Sequence, residues 1–380
     1  MSLKTLAVIV NYRVASQAVA AARSVLNSDS VGPVEVVVTD NSEDPEEASR
    51  LRSELPAGVI LEVNSENVGF GRACRAVYDK FPSDLVLLLN PDARLLEGGL
   101  ARLQHTLRQK KKAAAVAPDT LWHEGAPFHL PPSCPPALFL YQPLLARFGR
   151  KAWFERLLGG LWRRHAVKVW SATKPVRVRN LSGGLVLLER KAVEKAGGLF
   201  DPRFFLYFED TDLFIRLRKA GYQLLTEPRA KAVHYYDQCA REMWKQKRAH
   251  MAESQRLFVE KHRNGWKGRL TERLGRNLGE AGGEIDAIHL REFQAPFEME
   301  VPQAFADEWL FEWSPCRNFI PSMGLFGTGP RLDFSERCWD MLAPGRYFGR
   351  IGPPKGCGGK AAVISWLVED PREGKTHPGI

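Results

Sequence analysis

Three carboxylates fall within four positions of the stretch "RFFLYFEDTDLFIRLRKAGY", Arg203 to Tyr222, directly behind an aromatic and aliphatic run. Two chemistries suit Glu209, Asp210 and Asp212. One is helix capping: Asp210 precedes the apolar Leu213, Phe214 and Leu217, basic Arg216, Arg218 and Lys219 follow, and Gly221 closes the segment. The other is proton transfer. A cap needs a single acceptor, whereas ionised acids beside Phe204, Phe205 and Phe208 lose hydration that a helix terminus only partly restores. A carboxyl in that setting binds a proton more tightly than a solvated one, so the cluster is a candidate for catalysis as well as for capping.

A second set of polar residues is spread over the first hundred positions. Asn11 and Tyr12 follow the run "LAVIV", Asp40 and Asn41 follow "VEVVV", Asn64 to Asn67 follow "VILEV", and Asn90 and Asp92 follow "LVLLL". Pro91 stiffens the turn that holds Asp92. Far downstream, His234 ends "GYQLLTEPRAKAVHYY", which reads as two short strands.

The elements that must position these residues follow from periodicity. The four runs are apolar almost without interruption and alternate with helix-like segments, as parallel strands covered on both faces require. In open α/β sheets ligands bind where the carboxyl ends of such strands converge, so the four polar ends are expected to share one crevice. The bland alternative is that they cap the following helices, a role suited to Asp44. "SGG" at Ser182–Gly184 reads as a tight turn or as room for a ligand beside the sheet.

Composition bounds the rest. The chain has 380 residues, 44% hydrophobic and 26% charged, which allows two or three domains with ordinary cores. Six scattered cysteines without a CxxC pair argue against a zinc site or a disulfide framework and for a reducing, cytoplasmic setting. The apolar part of "MSLKTLAVIVNY" is too short for a signal peptide, and no apolar run reaches 18 residues. Net charge is +10, and the densest basic stretch, Arg147 to Lys168, carries seven basic residues against Glu155 alone. Mixed with Trp153, Phe154, Leu157, Leu158, Leu161 and Trp162, it reads either as a basic amphipathic helix facing an anionic membrane or as a surface helix packed on the domain.

The α/β pattern lapses between about 121 and 175, in a Pro- and aromatic-rich insertion, and resumes at Ser182. The Gly/Arg-rich stretch 263–283 reads as a linker. Residues 284–380 read as short strands between Pro and Gly turns, a small all-β sandwich open to an immunoglobulin-like arrangement. No GxGxxG follows the first strand, and no P-loop or serine nucleophile elbow is present. No nucleic-acid-binding motif stands out either.

The order of motifs resembles the family 2 glycosyltransferases of GT-A fold, in particular their rhamnosyltransferase-like branch. The stretches that carry the resemblance are "VIVNY", "VVVTDNS", "NVGFGRA", "LLLNPDARL", "LSGGLVLLERKAVEKAGGLFDPRFFLYFEDTDLFIRLRKAGY", "PRAKAVH" and "SQRLFVEKH", from Leu6 to His262. It implies a GT-A domain over residues 1–262, Rossmann-like with helices on both faces of a mostly parallel sheet, and leaves the β-rich tail outside. It also implies a nucleotide-sugar donor, a glycan or lipid-linked acceptor, and a divalent metal, Mg or Mn. By the same resemblance Asn11 and Asp40 contact the nucleoside, Asn67 and Gly69 line its pocket, Asp92 binds the metal with Asn90 in place of the usual first acid, His234 completes the metal site, and Asp210 is the base. The apolar wall and Glu209 beside it are then expected to raise the proton affinity of Asp210. Arg75 and Cys74, where the family commonly has an asparagine, and "HYYDQCA" after His234 depart from its pattern. The resulting expectation is an inverting glycosyltransferase of cell-surface polysaccharide synthesis, peripheral on the inner face of the cell membrane. The competing class is a sugar-nucleotide or glycan-binding protein that keeps the fold without the chemistry.

Overall fold

The first apolar run is buried along its whole length, which a strand achieves only between two other strands and beneath helices on both faces. The computed structural model, which describes residues 3–137, 152–235, 244–262, 289–354 and 362–369, provides both. The four runs are β1 (Thr5–Asn11), β2 (Val34–Asp40), β3 (Ile60–Val63) and β4 (Leu85–Leu89). They lie parallel in the order β3-β2-β1-β4, and Asn11 stands in register with Asp40. The strand Leu185–Glu189 follows antiparallel to β4, so the sheet is mixed.

Between these strands run α1 (Ala15–Leu26), α2 (Pro45–Glu54) and α3 (Phe70–Lys80). In α1 the residues Ala15, Ala18, Val19, Ala22 and Val25 repeat at helical spacing, and they pack with Ala7, Ile9, Val36, Val38 and Leu87 in one core. The expectation for Asp44 holds: its carboxylate accepts the Glu46 N–H at 2.9 Å, and Pro45 opens α2.

The strand Gln223–His234 is a single strand where two short ones were expected. It pairs antiparallel with β5 (Ala93–Leu95) and with Val176–Val178, and sets His234 opposite Ala93.

The chain divides into two compact units that are interleaved in sequence. The first comprises Met1–Thr120, Ser133–Leu145 and Ala172–Asn277; the second comprises Leu121–Pro132, Ala146–Ser171 and Leu278–Ile380. The expected linker at 263–283 lies outside the described residues.

The second unit is built around aromatic side chains: Trp122, Phe128, Trp313, Phe334 and Trp366 are buried in one cluster. Its central strand Trp309–Ser314, buried throughout, lies antiparallel between Met323–Gly327 and Gly345–Gly352. The expectation of an all-β sandwich is corrected here, because the helix Ala152–Trp170 belongs to this unit. Trp162, Ala166, Val169 and Trp170 form its buried stripe, which covers apolar surface that the strands alone would leave in water. Trp170 packs where a Cβ on Gly324 would stand.

That packing also revises the membrane reading of 147–168. Trp162 is 4% exposed and donates its indole N–H to Ser322 at 3.2 Å. Arg163 binds the fully buried Glu312 at 2.6 Å and the Pro353 carbonyl at 2.8 Å, so neither residue faces a lipid surface. Arg164 and Lys168 are exposed, whereas Arg147, Arg150 and Lys151 lie outside the described residues. No helix among the described residues is long and apolar enough to cross a membrane.

Glu312 also receives Arg350 through both carboxylate oxygens, at 2.7 and 2.9 Å. Removing the acid would leave two guanidinium groups without their buried counter-charge. Glu312→Ala is therefore expected to destabilise this unit by about 3–5 kcal/mol. Calorimetry would register it as a lowered transition, and an unchanged thermogram would refute it.

Candidate active site

The carboxyl ends of β1 and β2 form a closed polar knot. The Asn11 amide, wholly buried, donates to Asp40 at 2.9 Å, to Ser42 at 3.0 Å and to Glu47 at 3.2 Å, and its carbonyl oxygen accepts the Val14 N–H. Ser42 in turn donates its hydroxyl to Asp40 at 2.5 Å. Asn11 thus spends its hydrogen-bonding capacity on fixing Asp40, and its reach toward any ligand passes through that carboxylate.

The next loop is similarly self-supporting. Asn64 donates to Asn41 at 2.6 Å, Asn41 to the Gly69 carbonyl at 3.3 Å, and the Asn67 side chain accepts the Gly69 N–H at 3.0 Å. Gly69 has φ +84°, and a Cβ there would stand 2.5 Å from the Phe205 carbonyl oxygen, so only glycine lets the start of α3 approach that segment.

The turn after β4 brings Asp92 and His234 together. His234 Nε2 lies 3.0 Å from Asp92 Oδ1 and 3.5 Å from the Asn90 amide, and the Tyr235 N–H donates to the Asp92 carbonyl. The β5 pairing that sets His234 against Ala93 produces this proximity. One carboxylate oxygen and one imidazole nitrogen suit a divalent cation whose remaining ligands are phosphate oxygens and water. Among the described residues no group of three or more His, Cys, Asp or Glu side chains forms a fuller metal cluster.

Asp210 is joined to this pair through the two glycines of "SGG". The Gly183 N–H donates to Asp210 Oδ2 at 2.9 Å, and a Cβ on Gly183 would fall 2.7 Å from the Asp210 Cβ. A Cβ on Gly184 would fall 2.6 Å from the Asn90 amide nitrogen, and the Gly184 carbonyl accepts the Asn90 N–H. The space left by these glycines is thus occupied by protein: it lets the acid of one segment and the Asn90–Asp92 turn of another close on the same strand end.

Asp210 is the second residue of the helix Glu209–Lys219, and no side chain caps that helix. Its Oδ1 accepts the Thr211 N–H, and Thr211 Oγ1 accepts from the Asn180 amide at 3.3 Å. Neither Asn180 nor Thr211 carries a local sequence signal for this role. Tyr207 and Phe208, at φ +71° and +67°, hold the chain in the left-handed region just before the helix, a conformation costing about 1–3 kcal/mol per residue that surrounding packing must impose. Phe204 and Phe208 meet that need by packing with Phe258.

The two adjacent acids are both raised above ordinary carboxylate values, for reasons that differ in part. Burial raises Asp210, while hydrogen bonds from Gly183 and Thr211 oppose the rise. Glu209, 5% exposed and packed against Gly71, is pushed up to about 8 by burial and then by the charge of Asp210, and its Oε2 has no hydrogen-bond partner. The expectation that Glu209 would act on Asp210 by raising its affinity for a proton is corrected here: burial is what raises Asp210, and the charge of Asp210 adds to the burial that raises Glu209.

Asp212 does something else again. Burial would raise it, but His262 and Lys261, each at 2.7 Å, and Arg216 at 2.8 Å outweigh burial and hold its carboxyl at about 2. It pins the helix Trp244–His262 to the helix Glu209–Lys219.

A neutral buried acid has a pH signature. Glu209 in the unfolded chain ionises near pH 4.5, so between there and about pH 8 the folded state binds more protons and stability falls as pH rises. Glu209→Gln removes that term and should flatten the decline, by on the order of 3–5 kcal/mol across the interval. Denaturant titrations of parent and variant at pH 5 and pH 8 measure it, and parallel curves would exclude a neutral Glu209.

Comparison with known proteins adds the following. Residues 4–257 match the model of the family described as glycosyltransferase like family 2. A curated relative, the N-acetylglucosaminyl-diphospho-decaprenol L-rhamnosyltransferase of Mycobacterium tuberculosis, found in strains CDC 1551 / Oshkosh and ATCC 25618 / H37Rv, is 27% identical over 255 residues. That alignment covers 62% of this chain and 77% of the relative. Among solved structures, the mannosyltransferase PcManGT from Pyrobaculum calidifontis, in complex with GDP-Man and Mn2+, gives a TM-score of 0.44 at 15% identity over 72% of this chain and 74% of that one. GalNAc-T7 with UDP, GalNAc and Mn2+ gives a TM-score of 0.43 at 16% identity over 61% of this chain, and the likeness spans 44% of the GalNAc-T7 chain.

Proposed function

Because the chain belongs to the glycosyltransferase like family 2, we propose that it is an inverting transferase of GT-A type that moves a hexose such as rhamnose from a nucleotide diphosphate to a hydroxyl of a lipid-linked glycan acceptor at the inner face of the cell membrane. The observation that carries this reading is the meeting of Asp210 with the Asn90–Asp92–His234 group through Gly183 and Gly184. One acid is placed to take a proton while, across the two glycines, a carboxylate–imidazole pair is placed to manage a diphosphate.

The roles divide by chemistry. Asp40, fixed by Asn11, offers its carboxylate to the nucleoside, and the loop held by Asn67 and Gly69 borders the same end of the sheet. Asp92 and His234 would hold a divalent cation, Mg or Mn, which when bound neutralises the charge that develops on the departing nucleotide. Asp210 accepts the proton of the attacking hydroxyl, a contribution of roughly 10²–10⁴-fold. The Gly183 N–H and Thr211 keep its two oxygens in place, so that proton transfer needs no side-chain reorganisation. Protonated Glu209 leaves the neighbouring base without a second negative charge to repel.

The curated relative's name specifies a prenyl diphosphate carrying N-acetylglucosamine, and this acceptor is the first to test. Incubating the purified protein with a panel of nucleotide sugars, a short-chain prenyl-diphospho-N-acetylglucosamine and Mn2+ should yield a disaccharide on lipid for one donor. Nucleotide-sugar binding without transfer or hydrolysis, across donors and metals, would favour the non-catalytic binder instead.

A further inference from the structure

Outside the polar end of the sheet, the first unit carries a cluster of three arginines that the proposed chemistry does not use. Arg177, in the strand Val176–Val178, and Arg179, in the bend just after it, flank the buried Val178, and both are exposed. Arg218, in the last turn of the helix Glu209–Lys219, donates from its guanidinium to the Arg179 carbonyl at 3.2 Å. Arg179 and Arg177 both lie within electrostatic reach of Arg218, whose pKa is lowered by burial and then by these two charges. Among the described residues no carboxylate pairs with any of them.

Two structural roles explain part of this. A charged edge strand resists pairing with another chain, and a cation near a helix C-terminus is favourable. Neither role asks for three cations at one place, where their mutual repulsion remains until an anion arrives.

The position of the cluster suggests which anion. Arg218 is eight residues beyond Asp210 on one helix, about 12 Å along its axis. Arg179 precedes Asn180, whose amide reaches Thr211 beside Asp210 and whose Oδ1 is buried without a partner. The cluster thus lies at the end of this helix remote from Gly184 and Asn90, separated from the base by about the length of a hexose and its phosphates. We propose that Arg177, Arg179 and Arg218 bind the diphosphate of the acceptor, whose sugar hydroxyl is then presented to Asp210. The proposal rests on the lipid-linked acceptor advanced above, and it assigns the second diphosphate of the reaction a site separate from that of the nucleotide.

The exposed pair makes the cleaner variant. Arg177→Gln/Arg179→Gln should raise KM for a prenyl-diphospho-N-acetylglucosamine acceptor by at least about tenfold, with KM for the same sugar on an uncharged alkyl chain and the affinity for nucleotide unchanged. Equal losses with both acceptors, or no loss with the charged one, would overturn the assignment. Should the parent transfer to neither acceptor, the functional reading fails but the anion site is still testable: geranyl diphosphate in EDTA should bind the parent about tenfold more tightly than the variant, and equal binding rejects it. Anionic vesicles without acceptor separate the remaining source of phosphate. If the variant loses vesicle binding while its acceptor preference stays that of the parent, the arginines serve lipid headgroups and the proposal is wrong.

Discussion

Asp210→Asn is expected to lower turnover at least about a hundredfold while nucleotide affinity stays within about twofold of the parent. The amide keeps the shape of the side chain, and its one oxygen can accept from Gly183 or from Thr211 but not from both, so the local fold is loosened by a single hydrogen bond while the side chain loses the ability to take a proton from an attacking hydroxyl. Steady-state rates with saturating donor, alongside calorimetric titration of the nucleotide, separate the two effects. Glu209→Gln supplies the control. Since Glu209 already carries its proton at neutral pH, the neutral amide should retain most of the turnover. If Glu209→Gln proves as damaging as Asp210→Asn, the division of roles between the two acids is wrong.

The second large effect is expected at Asp92. Asp92→Ala removes the carboxylate that would share a cation with the nucleotide's phosphates and leaves His234 without its 3.0 Å partner. Nucleotide binding in Mn2+ should fall to the level the parent shows in EDTA, on the order of a hundredfold if the cation contributes a few kcal/mol. Thermal denaturation without nucleotide should shift far less, because Asp92 lies in a turn whose backbone is held by the Asn90 carbonyl and by Tyr235. A parent protein that binds nucleotide equally well in EDTA and in Mn2+ would remove the metal from the scheme.

What the sequence disclosed follows from where the physical signal is local. The four β-runs were legible because doubly covered strands must be apolar at every position, and α2 because Asp44-Pro45 is a self-contained start signal. The acidic stretch was legible as an anomaly: the cost of placing charge against Phe204 to Phe208 needs no knowledge of distant contacts. Distances between segments were not legible. "SGG" reads as a tight turn or as room for a ligand, yet the space beside the two glycines is filled by Asp210 and Asn90, residues 27 and 94 positions away from the glycines they approach. The raised Glu209 depends on burial beside Gly71, and the anchoring of Asp210 on a Gly183 N–H, and neither is local to the pair. Two bulky residues at positive φ, Tyr207 and Phe208, carry no signature in the sequence because tertiary packing alone selects that conformation. The basic helix misled for a similar reason: its pattern is that of a half-wet surface helix, and only the buried Glu312, 149 residues further on, turns Arg163 inward.

That last separation has a consequence for synthesis of the chain. At about 5–20 residues per second, roughly 7–30 s pass between the emergence of Arg163 from the ribosome and that of Glu312. Throughout that interval Trp162, Trp170 and an unneutralised guanidinium stand without the strands that will enclose them, a surface suited to chaperone capture. Deleting everything after His262 to isolate the transferase portion would make the interval permanent, so the shorter chain should be the less soluble one.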